Sequence, residues 1–461
     1  MRIAVIDIGK TNAKLALVGL DNLTELAVIT RSNTVLPGPP YPHFDVEGHW
    51  TFLLQGLADF HRLYGIDGIS ITTHGASAAL LGPDGALITP VLDYEHCYPD
   101  GEVAAYTALR PDFAETGSPR LAGGLNLGAQ LHYLFASNPN LRARTADIVT
   151  YPQYWAHRLT GVLASDVTSL GCHTDLWNPY RGRFSSLIDR LGIGSCLALP
   201  GKPADVLGHI LPAIAAVTGL PASTPVTCGI HDSNASLLPH LLAQTPPFSV
   251  VSTGTWVVVM TVGGKATVLD ATRDTLINVN AFGRPVPSAR FMGGREYETM
   301  RGHAAAPSMD DVRWVLQHPL FLLPSVQQSS GPFPNMAYRW NPFEPGLADP
   351  RNDVALAFYL ALMTAECLLI TGASGAAIVE GPFASNALYL AMLRAATDFP
   401  VTASVSKTGT AIGAAMLFAD PMASDGAQAA TNALSPDAAM IRYAKAWRAA
   451  VALRINSAAT P

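Results

Sequence analysis

The segment Ile3-Ala4-Val5-Ile6 runs straight into Asp7-Ile8-Gly9-Lys10-Thr11-Asn12, and an apolar stretch resumes at Ala13 and continues to Val18. Apolar residues without a helical period on both sides of a polar, glycine-bearing tip read as two strands and a tight turn. The pattern returns about half a chain later, where Phe248-Ser249-Val250-Val251 leads into Ser252-Thr253-Gly254-Thr255 and Trp256 to Met260 leads out. Two such units suggest a duplicated architecture. Helical spacing dominates afterwards, from Asp353 to Leu369 and from Asn386 to Thr397. Hairpins and helices together indicate α/β layers. A Pro/Gly-rich stretch from Leu199 to Val226 reads as the run-up to a domain boundary, expected between residues 240 and 241.

With 461 residues the chain is long enough for two domains. Its hydrophobic fraction is 49%, but only 14% of its residues are charged, 29 Lys and Arg against 35 Asp and Glu. Binding nucleic acid requires clustered cations to neutralise phosphates, and these are sparse and scattered, so no nucleic-acid partner is expected. Little charge leaves much of the chain for the interior or for an interface with a second copy, which allows a homodimer. The four apolar residues before Asp7 fall short of a secretory signal, and no stretch reads as a membrane span. Five widely spaced cysteines without a C-x-x-C pair indicate neither a disulfide framework nor a zinc site. A cytoplasmic protein without a membrane partner is expected.

The two turns carry the chemistry. Gly9-Lys10-Thr11 invites a P-loop reading, but that motif needs a glycine where Ala4 stands and a helix where the sequence is strand-like. What remains is a turn whose glycine lets the backbone approach a ligand, with donors on Thr11 and Asn12 and charge on Lys10 and Lys14. Asp7, at the end of the first strand, is placed to hold a hydrated Mg²⁺, an ion that takes one or two carboxylates and keeps its waters. Thr253, Gly254 and Thr255 offer hydroxyls and N–H groups without charge. Each turn alone reads first as an ordinary hairpin turn. Facing one another, the two would clamp a polyphosphate. Between them, Gly229-Ile230-His231-Asp232-Ser233-Asn234 puts a carboxylate at the carboxyl end of a strand, where ligands bind in open α/β sheets; a plain helix cap is the competing reading. No G-x-S-x-G and no G-x-G-x-x-G after the first strand is present, which disfavours a serine hydrolase and a dinucleotide-binding protein.

These segments, in this order, resemble the FGGY carbohydrate kinases of the actin, hexokinase and heat-shock chaperone superfamily. Asp7 to Asn12 resembles the first phosphate motif. Tyr151-Pro152-Gln153-Tyr154-Trp155 through Arg158-Leu159-Thr160-Gly161 is similar to a family helix, Gly219-Leu220-Pro221 through Gly229 to the approach to the catalytic aspartate, and Ser252 to Trp256 to the second phosphate motif. Glu380-Gly381-Pro382-Phe383-Ala384-Ser385-Asn386 resembles the adenosine motif with fewer glycines, and Gly409 to Ala415 its closing helix. The resemblance implies an α/β fold of two actin-like (ribonuclease H-like) domains with a cleft between them. Residues 1–240 would bind sugar and 241–461 nucleotide.

It further implies MgATP-dependent phosphorylation of a ketose or polyol, with Asp232 as catalytic base. Gly9, Lys10, Thr11, Asn12, Lys14, Thr253, Gly254 and Thr255 would bind phosphate; His74, Gly75, Asp93, Glu95 and His231 would bind sugar; Gly381, Ser385 and Asn386 would bind adenine and ribose; Asp7 would order the Mg²⁺ shell. His231-Asp232-Ser233 is similar to the His-Asp-Thr of L-rhamnulose and L-fuculose kinases, which tilts the substrate toward a 6-deoxy-ketohexose or a related ketose. The segment Leu92-Asp93-Tyr94-Glu95-His96 replaces the family's W-x-D-x-R sugar segment, and Phe291 to Glu296 matches no subfamily pattern. A catalytically weak sugar- or nucleotide-binding regulator on the same fold is the alternative.

Overall fold

The computed structural model describes residues 1–404, 409–419 and 437–458, and the chain divides into two units. Unit 1 takes residues 1–243, 277–285 and, of the described residues, 409–419; unit 2 takes the rest. The chain thus first changes unit after Ala243 and returns to unit 1 twice, which a single cut after residue 240 does not capture. These returns rest on packing between residues far apart in sequence.

Unit 1 opens with β1 (Arg2–Ile8), β2 (Asn12–Gly19) and β3 (Thr24–Ser32), followed by helix α1 (Val46–Tyr64) and strand β4 (Gly68–Thr73). Further on come α2 (Tyr151–Thr160), β5 (Val206–His209), β6 (Pro225–Thr227), β7 (Ile230–His231) and α3 (Asp232–Ala243). Their sheet runs β5-β6-β4-β1-β2-β3, with β7 also paired to β4. β1 is antiparallel to β2 and parallel to β4. It is buried on both faces because its apolar residues do not alternate with polar ones. Ala4, Ile6 and Ile8 pack in the cluster that holds Leu53 and Leu57 of α1 and Trp155 of α2. Ile3 and Val5 pack instead with Ile230, with Ala235 and Leu238 of α3, and with the helix Thr410–Ala415. Strand alternation puts Asp7 on this second face.

Unit 2 repeats the plan. Strands β8 (Phe248–Thr253) and β9 (Val257–Val262) form an antiparallel hairpin, followed by β10 (Pro285–Phe291), α4 (Gly293–Met300) and α5 (Pro350–Ile370). Strand β11 (Ala376–Glu380) then pairs parallel to β8, and α6 (Ala387–Thr397), β12 (Val401–Ala403) and α7 (Ala438–Ala458) complete the unit. In both units an antiparallel hairpin gains a parallel strand on its first member, so the duplication expected from the two turns is real. The helices at Asp353–Leu369 and Asn386–Thr397 also form, within a residue to three of their expected ends.

The absence of a membrane-length apolar stretch is corrected by α5, which is long and apolar enough to cross a bilayer. Burial explains its composition: 83% of its apolar window lies inside, in the core shared with α6 and α7. A helix apolar all round is what such a position requires.

The helix Thr410–Ala415 lies so close to α3 that a Cβ on Gly413 would stand 1.8 Å from the Ala235 carbonyl oxygen. Gly413→Ala must therefore push α3 and this helix apart. We expect a loss of stability of roughly 1–3 kcal/mol or more in urea unfolding; an unchanged midpoint would show that the approach is not required.

Candidate active site

The site residues of unit 1 gather at the ends of β1, β4 and β7. The turn after β1 is closed by the Gly9 N–H donating to the Asn12 carbonyl oxygen at 2.9 Å, while the Asn33 amide donates to the Gly9 carbonyl at 2.8 Å. Thr11 and Asn12 are exposed at its tip. Burial pushes the Asp7 carboxyl up to about 6; Lys14, with Nζ 3.7 Å away, pulls it back only in part, and the Asp232 charge adds to the rise. A buried carboxyl short of positive charge fits a divalent cation, and a single carboxylate with ordered waters suits Mg²⁺. Among the described residues no group of three or more His, Cys, Asp or Glu could hold a metal directly.

β7 pairs parallel to β4, with His231 opposite Thr73, and Asp232 follows as the first residue of α3. The junction is held from behind. Asp166 is fully buried and accepts from the Thr168 N–H at 2.7 Å, and the Thr168 hydroxyl oxygen accepts the His231 N–H at 3.0 Å. Oδ1 of Asp232 accepts from the Ser233 N–H at 2.6 Å and faces His231 Nε2 at 3.2 Å. Oδ2 has no partner among the described residues. Burial alone would lower the His231 pKa, but the negative charge of the adjacent Cys172 thiolate and of the Asp232 carboxylate reverses this and holds it raised. His231, expected to touch sugar, is thus brought onto Asp232 itself.

The remaining expected sugar residues form one cluster. His74 is 5% exposed and packs against the rings of Phe44, Tyr94 and Tyr151 at 4.9, 5.3 and 5.2 Å. Its Nδ1–H donates to the Gly75 carbonyl oxygen at 2.8 Å, which leaves Nε2 as a buried lone pair without a partner. Burial lowers the His74 pKa to about 4, so the ring is neutral. Gly75 lies under the His231 ring, where a Cβ would stand 2.8 Å from Nε2. Lys10, expected on phosphate, instead donates to Asp93 Oδ1 and stands 3.1 Å from Glu95 Oε2, over the Tyr94 ring at 4.6 Å.

In unit 2 the β8–β9 turn lines a cavity of about 860 Å³ with Gly254 and Thr255, as do Ser385 and Asn386. Thr253 is not free: its hydroxyl donates to the Glu380 carbonyl oxygen and accepts the Phe383 N–H at 3.1 Å. It ties the turn to the segment after β11. Gly381 makes this possible, with φ of +78° and so close an approach that a Cβ would lie 1.9 Å from the Thr253 carbonyl oxygen. Asn386 caps α6 by accepting the Tyr389 N–H at 3.1 Å. The first turn of α4 also lines the cavity, with Gly294 and Arg295. The Gly294 N–H donates to the Thr255 carbonyl oxygen at 3.2 Å, which docks α4 on the turn. Arg295 is exposed and unpaired among the described residues. The sequence reading of Phe291 to Glu296 gave it no role; a glycine pair followed by a cation, just after a strand, was the available signal.

The model of the FGGY family of carbohydrate kinases, N-terminal domain, matches residues 2–239, and that of the carbohydrate kinase FGGY, C-terminal domain, matches residues 245–441. The chain belongs to the FGGY family of carbohydrate kinases. Among curated proteins it is similar to the L-fuculokinase of Escherichia coli, 26% identical over 278 residues that cover 56% of each chain. It is also similar to the rhamnulokinase of Mannheimia succiniciproducens, 25% identical over 37% of this chain and 36% of the relative. The chain therefore matches about half or less of these relatives' length. A carbohydrate kinase from Novosphingobium aromaticivorans is similar over 98% of both chains at 34% identity, with a TM-score of 0.89. A xylulose kinase from Rhodospirillum rubrum shares the fold, covering 99% of this chain and 98% of its own at 19% identity, with a TM-score of 0.80. The resemblance read from the motifs holds, and with it the two-domain actin-like fold class.

The position of Asp7 has a measurable consequence for stability. Its native pKa of about 6 lies above the ordinary 3.8, so the folded state holds its proton more tightly than the unfolded chain. This contribution is present below pH 4 and is lost as pH rises through about 6. Asp7→Asn removes the cost, and the variant should be more stable than the parent by roughly 2–3 kcal/mol at pH 7. The difference should vanish toward pH 4 in urea unfolding; a destabilised variant at pH 7 would contradict the burial argument.

Proposed function

We propose that the protein transfers the γ-phosphoryl group of MgATP to a hydroxyl of a ketose, a 6-deoxy-ketohexose such as L-fuculose or L-rhamnulose or a related ketose or polyol. The observation that carries this is the state of Asp232: one carboxylate oxygen is engaged by the start of α3 and by His231, and the other has no partner among the described residues. An oxygen in that state can take the proton of an attacking hydroxyl. Kinship to an L-fuculokinase and a rhamnulokinase supports the sugar class.

In this reading the sugar hydroxyl attacks the γ-phosphorus, its proton passes to Oδ2 of Asp232, and ADP leaves with the electron pair of the broken P–O bond. His231 is a positioning residue that orients the carboxylate. His74 Nε2 and the Asp93 carboxylate accept sugar hydroxyls. Gly254, Thr255 and Arg295 bind nucleotide phosphates, and Gly381, Ser385 and Asn386 bind adenosine. Thr253 braces the turn, and Lys14 and the exposed Thr11 and Asn12 face phosphate. Asp7 holds hydrated Mg²⁺, which when bound neutralises charge on the phosphate oxygens.

A coupled ADP-release assay over ketoses and polyols tests this. Asp232→Asn should lower kcat by roughly 10²–10⁴ with nucleotide binding and folding retained. Equal turnover by the variant would remove the base. Turnover of no sugar by a parent protein that still binds ATP would favour the regulator instead. Arg295→Ala should raise KM for ATP about tenfold or more, the scale of one lost charge-assisted contact, while KM for sugar stays put. An unchanged KM for ATP would place the phosphates away from α4.

A further inference from the structure

The lysine three residues after Asp7 has a role that the phosphate motif does not supply. Lys10 reaches away from the turn and is held between Asp93 Oδ1 and Glu95 Oε2, with the faces of Tyr94 and Phe44 at 4.6 and 5.3 Å from its ammonium. Lys14, the other cation of the turn, is held by Glu25 at 3.0 Å and Asp7 at 3.7 Å. Among the described residues the neighbourhood of Asp232 therefore contains three cationic groups, Lys10, Lys14 and the His231 imidazolium, all paired, against the carboxylates of Asp7, Glu25, Asp93, Glu95 and Asp232. The imidazole of His231 is turned onto Asp232 at 3.2 Å, and His74 offers a lone pair, not a donor. Among the described residues, the groups of this cluster left to meet a ligand are acceptors: the buried Nε2 of His74, the second oxygen of Asp93, which is 6% exposed as a residue, and Oδ2 of Asp232.

Acceptors without free cations suit one chemistry and exclude another. Each hydroxyl of a polyol chain can donate to them. A carboxylate on the acceptor would bring a further negative charge to a group of carboxylates and would lose its water without gaining a cation in exchange.

We propose that Lys10 is the specificity-determining residue of the acceptor site, a cation locked between Asp93 and Glu95 so that the site takes an uncharged polyhydroxy chain and refuses a sugar carboxylate. This rests on the kinase reading above. It assigns Lys10 to the acceptor and not to the nucleotide.

The test unlocks the ammonium. D-gluconate is the anionic probe, and its binding to the parent, to Glu95→Gln and to the Asp93→Asn/Glu95→Gln double variant is measured by calorimetry, beside turnover on the ketose panel. Glu95 is exposed, with 66% of its side chain accessible, so Glu95→Gln tests the lock without disturbing the core. The parent should prefer its best ketose over gluconate by at least 100-fold in kcat/KM. Gluconate binding should strengthen about threefold in Glu95→Gln and at least tenfold in the double variant, and Lys10→Met added to the latter should abolish the gain. KM for ATP should not move in Lys10→Met alone. Equal use of gluconate and ketose by the parent overturns the lock and leaves the kinase reading intact. So does a double variant that folds, by its melting temperature, yet binds gluconate no better, and so does a raised KM for ATP in Lys10→Met. Absence of turnover on every sugar would count against the kinase reading alone, because gluconate binding would still report on the lock.

Discussion

Asp232 can serve a reaction only if a two-residue strand, β7, delivers it to the same edge as the end of β1, and much of unit 1 is organised around that delivery. The parallel pairing of β7 with β4 sets its height in the sheet. The Thr168 hydroxyl, itself held by the buried Asp166, takes up the His231 N–H, which would otherwise be an unpaired polar group in the interior. Helix α3 is then fixed from its far side by the helix Thr410–Ala415, whose small residues allow backbone to approach backbone. The position of one carboxylate depends on residues from 7 to 415.

The electrostatics of unit 1 are costly to the fold. Asp7 is buried with incomplete compensation, Asp166 is enclosed and satisfied only by hydroxyl and N–H donors, and Asp93 is held in the interior by a lysine. A fold selected for stability alone would replace such groups with apolar ones. Of these, Asp7 stands at the end of β1, where the charge of Asp232 at the end of β7 acts on it, so a costly buried carboxylate there marks a candidate site. Unit 2 solves a different problem with backbone: its turn, the start of α4 and the segment after β11 are joined by main-chain and hydroxyl hydrogen bonds, and Arg295 is the cation on its cavity wall. Membership of a carbohydrate kinase family is consistent with both halves of that chemistry.

Much of the local structure was legible. Strands on either side of Gly9 and Gly254 announce themselves because both faces are buried, so their apolar residues run without interruption. Asp7 and Asp232 stand out because a carboxylate that ends an apolar run needs a reason to be there. Chain order and motif spacing then led to the family. What did not show was the partner of each polar group. Lys10 sits in a turn beside phosphate-binding residue types, yet its ammonium is captured by carboxylates some 80 residues later. Thr253 offers a hydroxyl to the sequence reader and spends it on Glu380 and Phe383.

Sequence by itself determined the hairpins, the long buried helices, the duplicated plan and the identity of the carboxylate at the head of α3, since these depend on periodicity and on neighbours a few residues away. Tertiary structure decided which unit residues 277–285 and 409–419 join, which face of β1 carries Asp7, which oxygen of Asp232 is left open, and that Arg295 lines the unit 2 cavity. The physical reason is the range of the interactions. Helix and strand formation is settled by local hydrogen bonding and burial pattern, whereas charge pairing and close backbone contact depend on distances that exist only once remote segments have packed.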